Sequence, residues 1–188
     1  KNLNSRIITI NRGKCLGGSS SINGMVYMRG NKNDYDNWAD LGCKGWSYEE
    51  VLPMFKKLEN DQTGGESKYP SSEGDLPVVK PQDPNATIKR FIKAGKTIGL
   101  PQNSDFNAGS QLGLGVYNVT QNKGTRVSSY TAFVEPILSR PNLTILTRSK
   151  VVSIDIEGDC AKSVNIIINE EDKKLACNKE IILSAGTI

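Results

Sequence analysis

The stretch Arg12-Gly13-Lys14-Cys15-Leu16-Gly17-Gly18-Ser19-Ser20-Ser21-Ile22-Asn23-Gly24-Met25-Val26-Tyr27 combines residue types and spacings able to do binding chemistry. Paired glycines let a backbone approach a ligand closely. Successive backbone N–H groups, joined by serine hydroxyls, can donate to a phosphate or to the acceptor atoms of a ring system. Asn23 offers a donor and an acceptor on one side chain. The same composition also fits a plain Gly-Ser turn that opens a helix.

What the chain lacks is as informative. It has 0 histidines in 188 residues. That excludes His-based triads, His metal sites and His general bases within it. Cys15, Cys43, Cys160 and Cys177 stand far apart with no C-x-x-C pair, which argues against zinc and for free, mostly buried thiols, with a disulfide as the alternative. Asp34, Asp36 and Asp40 sit at helical spacing with no glutamate at loop distance, so a solvated face is the better reading than a metal loop. The net charge of +4 is modest, and Lys56-Lys57, Lys89-Arg90 and Lys173-Lys174 are scattered, so no nucleic-acid partner is expected. No apolar run reaches transmembrane length and no leader pattern is present. The expectation is a soluble chain, its compartment left open with the cytoplasm favoured. The first residue is Lys1, which suggests a natural N-terminus that is missing or processed.

The elements that must position these residues read as follows. Ile7–Ile10 are β-branched and predict a short strand. Residues 34–41 predict a helix with Asp34 as N-cap and Gly42 at its C-terminal cap. Ser47-Tyr48-Glu49-Glu50 fits a capping box, followed by a stripe of Val51, Leu52, Phe55 and Leu58. Pro53 is expected to end the first turn and start a second helix. Residues 61–75 read as a loop, residues 76–79 as a strand, and Ile88, Phe91, Ile92 and Ile98 as a helical stripe stopping at Gly99. Residues 113–120 predict a strand, and residues 128–138 a helix interrupted by Pro136. Alternation at Val152, Ile154, Ile156 and at Val164, Ile166, Ile168, with Gly158-Asp159 between, predicts a hairpin. Residues 143–147 and 180–183 are further strand expectations. Trp38, Trp46 and Tyr48 are read as anchors of their segment to the core. The sum is a mixed α/β (α+β) chain without a clean βαβ series.

The wording of residues 12–27 closely resembles the first signature of the glucose-methanol-choline oxidoreductases, in particular the choline-dehydrogenase-like branch. The resemblance continues through Met28-Arg29-Gly30, Asp34-Tyr35-Asp36-Asn37-Trp38, Gly45-Trp46-Ser47-Tyr48 and Val51-Leu52-Pro53-Met54-Phe55. Arg126-Val127-Ser128-Ser129 and Arg140-Pro141-Asn142-Leu143-Thr144 follow in the family's order. Glu180-Ile181-Ile182-Leu183-Ser184-Ala185-Gly186 resembles the opening of its second signature.

This resemblance implies part of an FAD-binding Rossmann-like domain plus part of a substrate domain with an antiparallel sheet, incomplete at both ends. It divides the chain into an FAD-contacting segment (1–60), a substrate-domain segment (61–140) and a strand-rich return to the FAD domain (141–188). It implies flavin contacts at Cys15, Ser19, Asn23, Gly24, Met25 and Val26, and a backbone contact of Val151 to the adenine ring. The family's catalytic histidine is expected beyond residue 188, so no catalytic residue is assigned here and the chain alone is expected to be inactive. Gly113-Leu114-Gly115 does not replace the family's dinucleotide fingerprint, because Val116, Tyr117 and Asn118 follow. Relatives that tether flavin do so through a histidine just before the signature's Asn; here that position is Ile22, so FAD is expected to be non-covalent. The implied reaction is oxidation of a small-molecule alcohol to a carbonyl, with hydride passing to flavin and the electron acceptor left open. A flavin-containing hydroxynitrile-lyase-like enzyme and a truncated non-catalytic module are the alternatives.

Overall fold

The computed structural model describes residue 4, residues 6–64 and residues 71–186. It forms two compact units, Lys1–Ser139 and Arg140–Ile188.

In the first unit, helix α1 (Lys32–Asp40) begins earlier than its apolar pattern suggests. The cap is Asn31, whose side chain accepts the Asn33 N–H at 2.9 Å, which leaves Asp34 in the first turn, where a carboxylate complements the exposed N–H groups. Gly42 closes the helix in the left-handed conformation, its N–H donating to the Ala39 carbonyl at 2.9 Å.

Helix α2 (Tyr48–Leu58) starts as the capping residues predict: the Ser47 N–H donates to Glu50 Oε2 at 3.0 Å and the Ser47 hydroxyl to the same oxygen. The Ser47 hydroxyl, then its N–H, holds the Glu50 carboxyl below its ordinary range. Pro53 does not split the helix, contrary to expectation; it lies inside one continuous element. Tyr48 and Leu52 are buried, whereas Glu49 and Pro53 are exposed, so water can serve the Glu49 carbonyl that Pro53 leaves without an N–H. Asp36 accepts the Tyr48 N–H at 3.0 Å and ties α1 to α2. Tyr35 packs edge-on to Trp38 and Phe55. Of the three expected anchors, Tyr48 enters the core; Trp38 and Trp46 stay about half exposed, edge to face with each other.

Strand β1 (Glu59–Asp61) pairs in parallel with β2 (Leu76–Val78). Helix α3 (Ala86–Thr97) follows, capped by Asn85 and ended before Gly99. The strand expected over residues 113–120 is reduced to isolated bridges: Val119 pairs with both Val26 and Val79, and Leu114 with Gln102. Strands β3 (Gln121–Asn122) and β4 (Thr125–Arg126) form a short hairpin. Helix α4 (Ser129–Phe133) and a 3₁₀ turn at Glu135–Ile137 replace one helix, the break falling where Pro136 demands it. The apolar core gathers Tyr48, Leu52, Val78, Phe106, Val119 and Ala132.

The second unit is an antiparallel meander, β5 (Ser149–Glu157), β6 (Cys160–Ile168) and β7 (Glu171–Ala176). The β5–β6 hairpin turns at Gly158-Asp159, as the alternation predicts, with irregularities after Val151 and after Asp155. Strand β7 was hidden in the sequence because its residues, Glu-Asp-Lys-Lys-Leu-Ala, carry little apolar alternation. Residues 7–10, 143–147 and 180–183, all expected as strands, take no regular structure, since none finds a partner among the described residues. The four thiols are free as expected but not buried: Cys15, Cys43 and Cys160 are exposed and Cys177 is partly so. Each sits in a loop or at a strand end, where no core is available. No helix among the described residues is long and apolar enough to cross a membrane.

Candidate flavin-loop site

The loop at residues 13–27 is built from the inside by its own serines. Residues Gly18–Ser21 form one 3₁₀ turn, entered through Gly17 at φ +84°. A side chain at Gly17 would bring its Cβ to 2.5 Å from Ser21 Oγ and 2.9 Å from Ser128 Oγ. At Gly13 the same atom would lie 2.1 Å from the Gly18 carbonyl oxygen. Both glycines are therefore required by close approach within the protein itself.

The serine hydroxyls are committed inward. Ser20 donates to the Gly17 carbonyl and Ser21 to the Leu16 carbonyl at 2.8 Å, while Ser19 Oγ accepts the Gly13 N–H at 3.2 Å. Cys15 is exposed, its Sγ 3.8 Å from the Gly18 carbonyl oxygen. A segment more than a hundred residues away clamps the turn. The Ser129 N–H donates to Ser20 Oγ at 2.9 Å, Ser129 Oγ to the Gly17 carbonyl at 3.2 Å, and Arg126 Nη1 to the Ser20 carbonyl at 3.2 Å.

What remains on the outer side is a run of donors. Gly24 is exposed and Val26 is 52% exposed, and neither N–H meets an acceptor among the described residues. Val26 is bridged to Val119 through its neighbours: Tyr27 N–H donates to the Asn118 carbonyl and Thr120 N–H to the Met25 carbonyl, both at 2.9 Å. This leaves the Val26 amide itself unused. Asn23 Oδ1 accepts the Met25 N–H at 3.0 Å and Arg126 Nη1 at 2.9 Å. Met25 holds φ 61°, a left-handed conformation that non-glycine residues rarely adopt. Ile22, half exposed, closes the 3₁₀ turn and has no nucleophilic atom.

Beneath the loop's exit lies a buried ionic cluster. Arg29 and Glu59 form a bidentate pair, side chains 2% exposed each, with Nε 2.7 Å from Oε1. Tyr27 donates its hydroxyl to Glu59. Burial first, then the Glu59 carboxylate, pushes the Tyr27 phenol far above its ordinary range, so it stays protonated. Burial works against the Arg29 charge, but Glu59 overrides it and the guanidinium is held more firmly than usual. Asn107 Oδ1 accepts the Arg29 N–H at 2.8 Å.

The fold thus brings Cys15, Ser19, Asn23, Gly24, Met25 and Val26 together in the first unit. Val151 lies in the second, on β5, 57% exposed and paired with Ile166. Sequence reasoning missed Arg126 and Ser129 as the loop's clamp, although the recurrence of Arg126-Val127-Ser128-Ser129 was the available signal. Nothing in the sequence marked Glu59 as the partner of Arg29.

Residues 1–188 match the family described as GMC oxidoreductase. The chain is 41% identical over 186 residues to an oxygen-dependent choline dehydrogenase of Sinorhizobium medicae, covering 99% of this chain and 34% of that protein. It is 39% identical over 190 residues to an alcohol dehydrogenase [acceptor] of Pseudomonas putida, covering 100% and 34%. Among solved structures, an FAD-dependent oxidoreductase from Chaetomium thermophilum superposes with a TM-score of 0.89 at 30% identity, over 98% of this chain and 34% of that one. The chain therefore spans about a third of the length of these relatives, and it belongs to the GMC oxidoreductase family.

Proposed function

We propose that this chain is the flavin-loop portion of an FAD-dependent oxidoreductase that oxidises a small-molecule alcohol to a carbonyl. The observation that carries the reading is the row of unspent donors, Gly24 N–H, Val26 N–H and Asn23 Nδ2, on the outer side of a clamped glycine loop. The polar edge of a flavin ring presents acceptor nitrogens and oxygens, so this donor set fits it. Exposed Cys15 and Ser19 and half-buried Met25 flank these donors, and the Val151 backbone is assigned to the adenine end.

When bound, FAD supplies the hydride acceptor that no side chain can provide. This chain's residues hold and orient it. Gly24, Val26 and Asn23 would hold the ring edge through their free donors, and the left-handed turn at Met25 sets the direction in which the chain leaves. With no histidine in these 188 residues, the base that takes the alcohol proton comes from elsewhere in the whole protein. Attachment is non-covalent, because Ile22 occupies the tethering position of flavinylated relatives. Residues 1–60 make the flavin contacts, 61–140 contribute to the substrate domain, and 141–188 return to the FAD domain.

The test uses the full-length protein that carries this chain. It should purify yellow, release its flavin into the supernatant on acid precipitation, and lose its flavin absorbance on anaerobic addition of choline or another primary alcohol. Colour retained in the washed pellet overturns non-covalent attachment. A flavin that no alcohol bleaches overturns the oxidoreductase assignment in favour of a non-redox role.

A further inference from the structure

Asn23 carries a donor and an acceptor on one side chain, and only one of them can face a ligand. Its Oδ1 accepts from two groups, the Met25 N–H at 3.0 Å and Arg126 Nη1 at 2.9 Å. A backbone amide and a guanidinium are donors only. The flipped amide would place its NH₂ against both, so the network itself determines which atom is which. Nδ2 therefore points away, and among the described residues it meets no acceptor.

We propose that Arg126 is a positioning residue: it locks the Asn23 amide with its donor outward, so that the flavin meets Nδ2–H through an acceptor atom that gains negative charge on reduction, a carbonyl oxygen or a ring nitrogen that stays unprotonated. The proposal rests on the flavin reading above. Its independent support is the way β4 is joined to the loop. The same Nη1 that holds Asn23 also holds the Ser20 carbonyl at 3.2 Å. Arg126 pairs across the hairpin with Gln121, whose Nε2 lies 3.4 Å from Met25 Sδ. Thr120, next along, donates its N–H to the Met25 carbonyl at 2.9 Å. The hairpin thus grips the loop at Ser20, Asn23 and Met25. Only the Asn23 contact selects which amide atom faces outward. Without Arg126, Oδ1 keeps a single internal donor, and the amide can rotate to present its acceptor side to the ligand.

The experiment is a double-mutant cycle in the full-length protein, with Arg126→Ala, Asn23→Ala and the pair, reading the flavin dissociation constant and the flavin midpoint potential. Each single variant should weaken flavin binding about tenfold, the worth of one hydrogen bond of ordinary strength. The pair should be no weaker than Asn23→Ala alone. The midpoint potential should fall in both, because a donor that stabilises the reduced ring is lost. Arg126→Lys keeps one donor toward Asn23 Oδ1 and should restore most of the affinity. A general folding defect would lower the melting temperature without this pattern. Losses that add in the pair mean that Arg126 touches the flavin directly and overturn the proposal, as does an Arg126→Ala protein with unchanged affinity and potential. A wild-type protein that takes up no flavin fails earlier and refutes the flavin reading itself.

Discussion

Glu59 in the first unit and Asp155 in the second each gather three donors, yet one is sealed from water and the other is not. Glu59 receives Tyr27 Oη, Arg29 Nε and Arg29 Nη2, with both members of the ion pair 2% exposed. Asp155 receives Ser163 Oγ, Asn165 Nδ2 and Lys174 Nζ, each at 2.7 Å, with Asp155 33% and Lys174 65% exposed. The buried cluster cannot lose one member cheaply, because the charge left behind has no water to turn to. The ladder on the sheet loses a charge more cheaply, because solvent reaches Asp155 and Lys174 and screens them, although the Ser163 hydroxyl beside them is buried. The same chemistry therefore makes a fixed anchor beneath the flavin loop and an adjustable clasp across β5, β6 and β7.

The sharpest way to break this contrast is Glu59→Gln. It leaves the Arg29 guanidinium buried against a neutral amide and should cost about 3–5 kcal/mol in chemical denaturation of the full-length protein. A loss below about 1 kcal/mol, the level of a surface pair, would refute the contrast. Replacing both partners, Arg29→Met with Glu59→Leu, should recover part of that loss, since the two apolar side chains need no compensation and only the Tyr27 hydroxyl loses its acceptor. The double variant being worse than the single would mean that the pair itself, and not its desolvation, dominates. Tyr27→Phe comes next. It removes one donor from a buried carboxylate and should cost about 1.5–3 kcal/mol on the same measurement.

Asp155 is expected to show its effect through pH. Lys174 first, then Ser163 and Asn165, hold its carboxyl at about 2, below the ordinary 3.8. A lowered folded-state value means that the stabilisation is complete above 3.8 and disappears as pH falls through about 2. Thermal melts of wild type and Asp155→Asn should therefore differ by a constant amount at neutral pH, and the two curves should converge in that acid window. A gap that persists at the acid end would assign the effect to shape, not charge. The smallest expected change is Lys174→Ala, whose effect on the melt should shrink further in molar salt; insensitivity to salt would count against the screened-ladder view.

The legible parts of this molecule are those whose partners lie close in sequence. Ser47 and Glu50 are three residues apart, and their cap formed as predicted. The β5–β6 hairpin needs only a two-residue turn between alternating strands. Residues 7–10 have a comparable β-branched composition, yet a strand exists only where another backbone supplies hydrogen bonds. Strand β7 shows the converse, a polar segment recruited because β6 offered it an edge.

By itself, the sequence determined the family, through the ordered motifs from Arg12 to Gly186, and it named the loop in which chemistry would be organised. It also determined that no histidine base acts from within these residues. Only the tertiary structure decided which loop groups remain available. Among the serine hydroxyls that the segment offers as donors, those of Ser20 and Ser21 are spent on the Gly17 and Leu16 carbonyls. The outward donor of Asn23 is set by Arg126, which lies 103 residues further along the chain. A hydrogen-bond donor serves whichever acceptor the fold brings within reach, and that geometry is absent from a linear list of residue types.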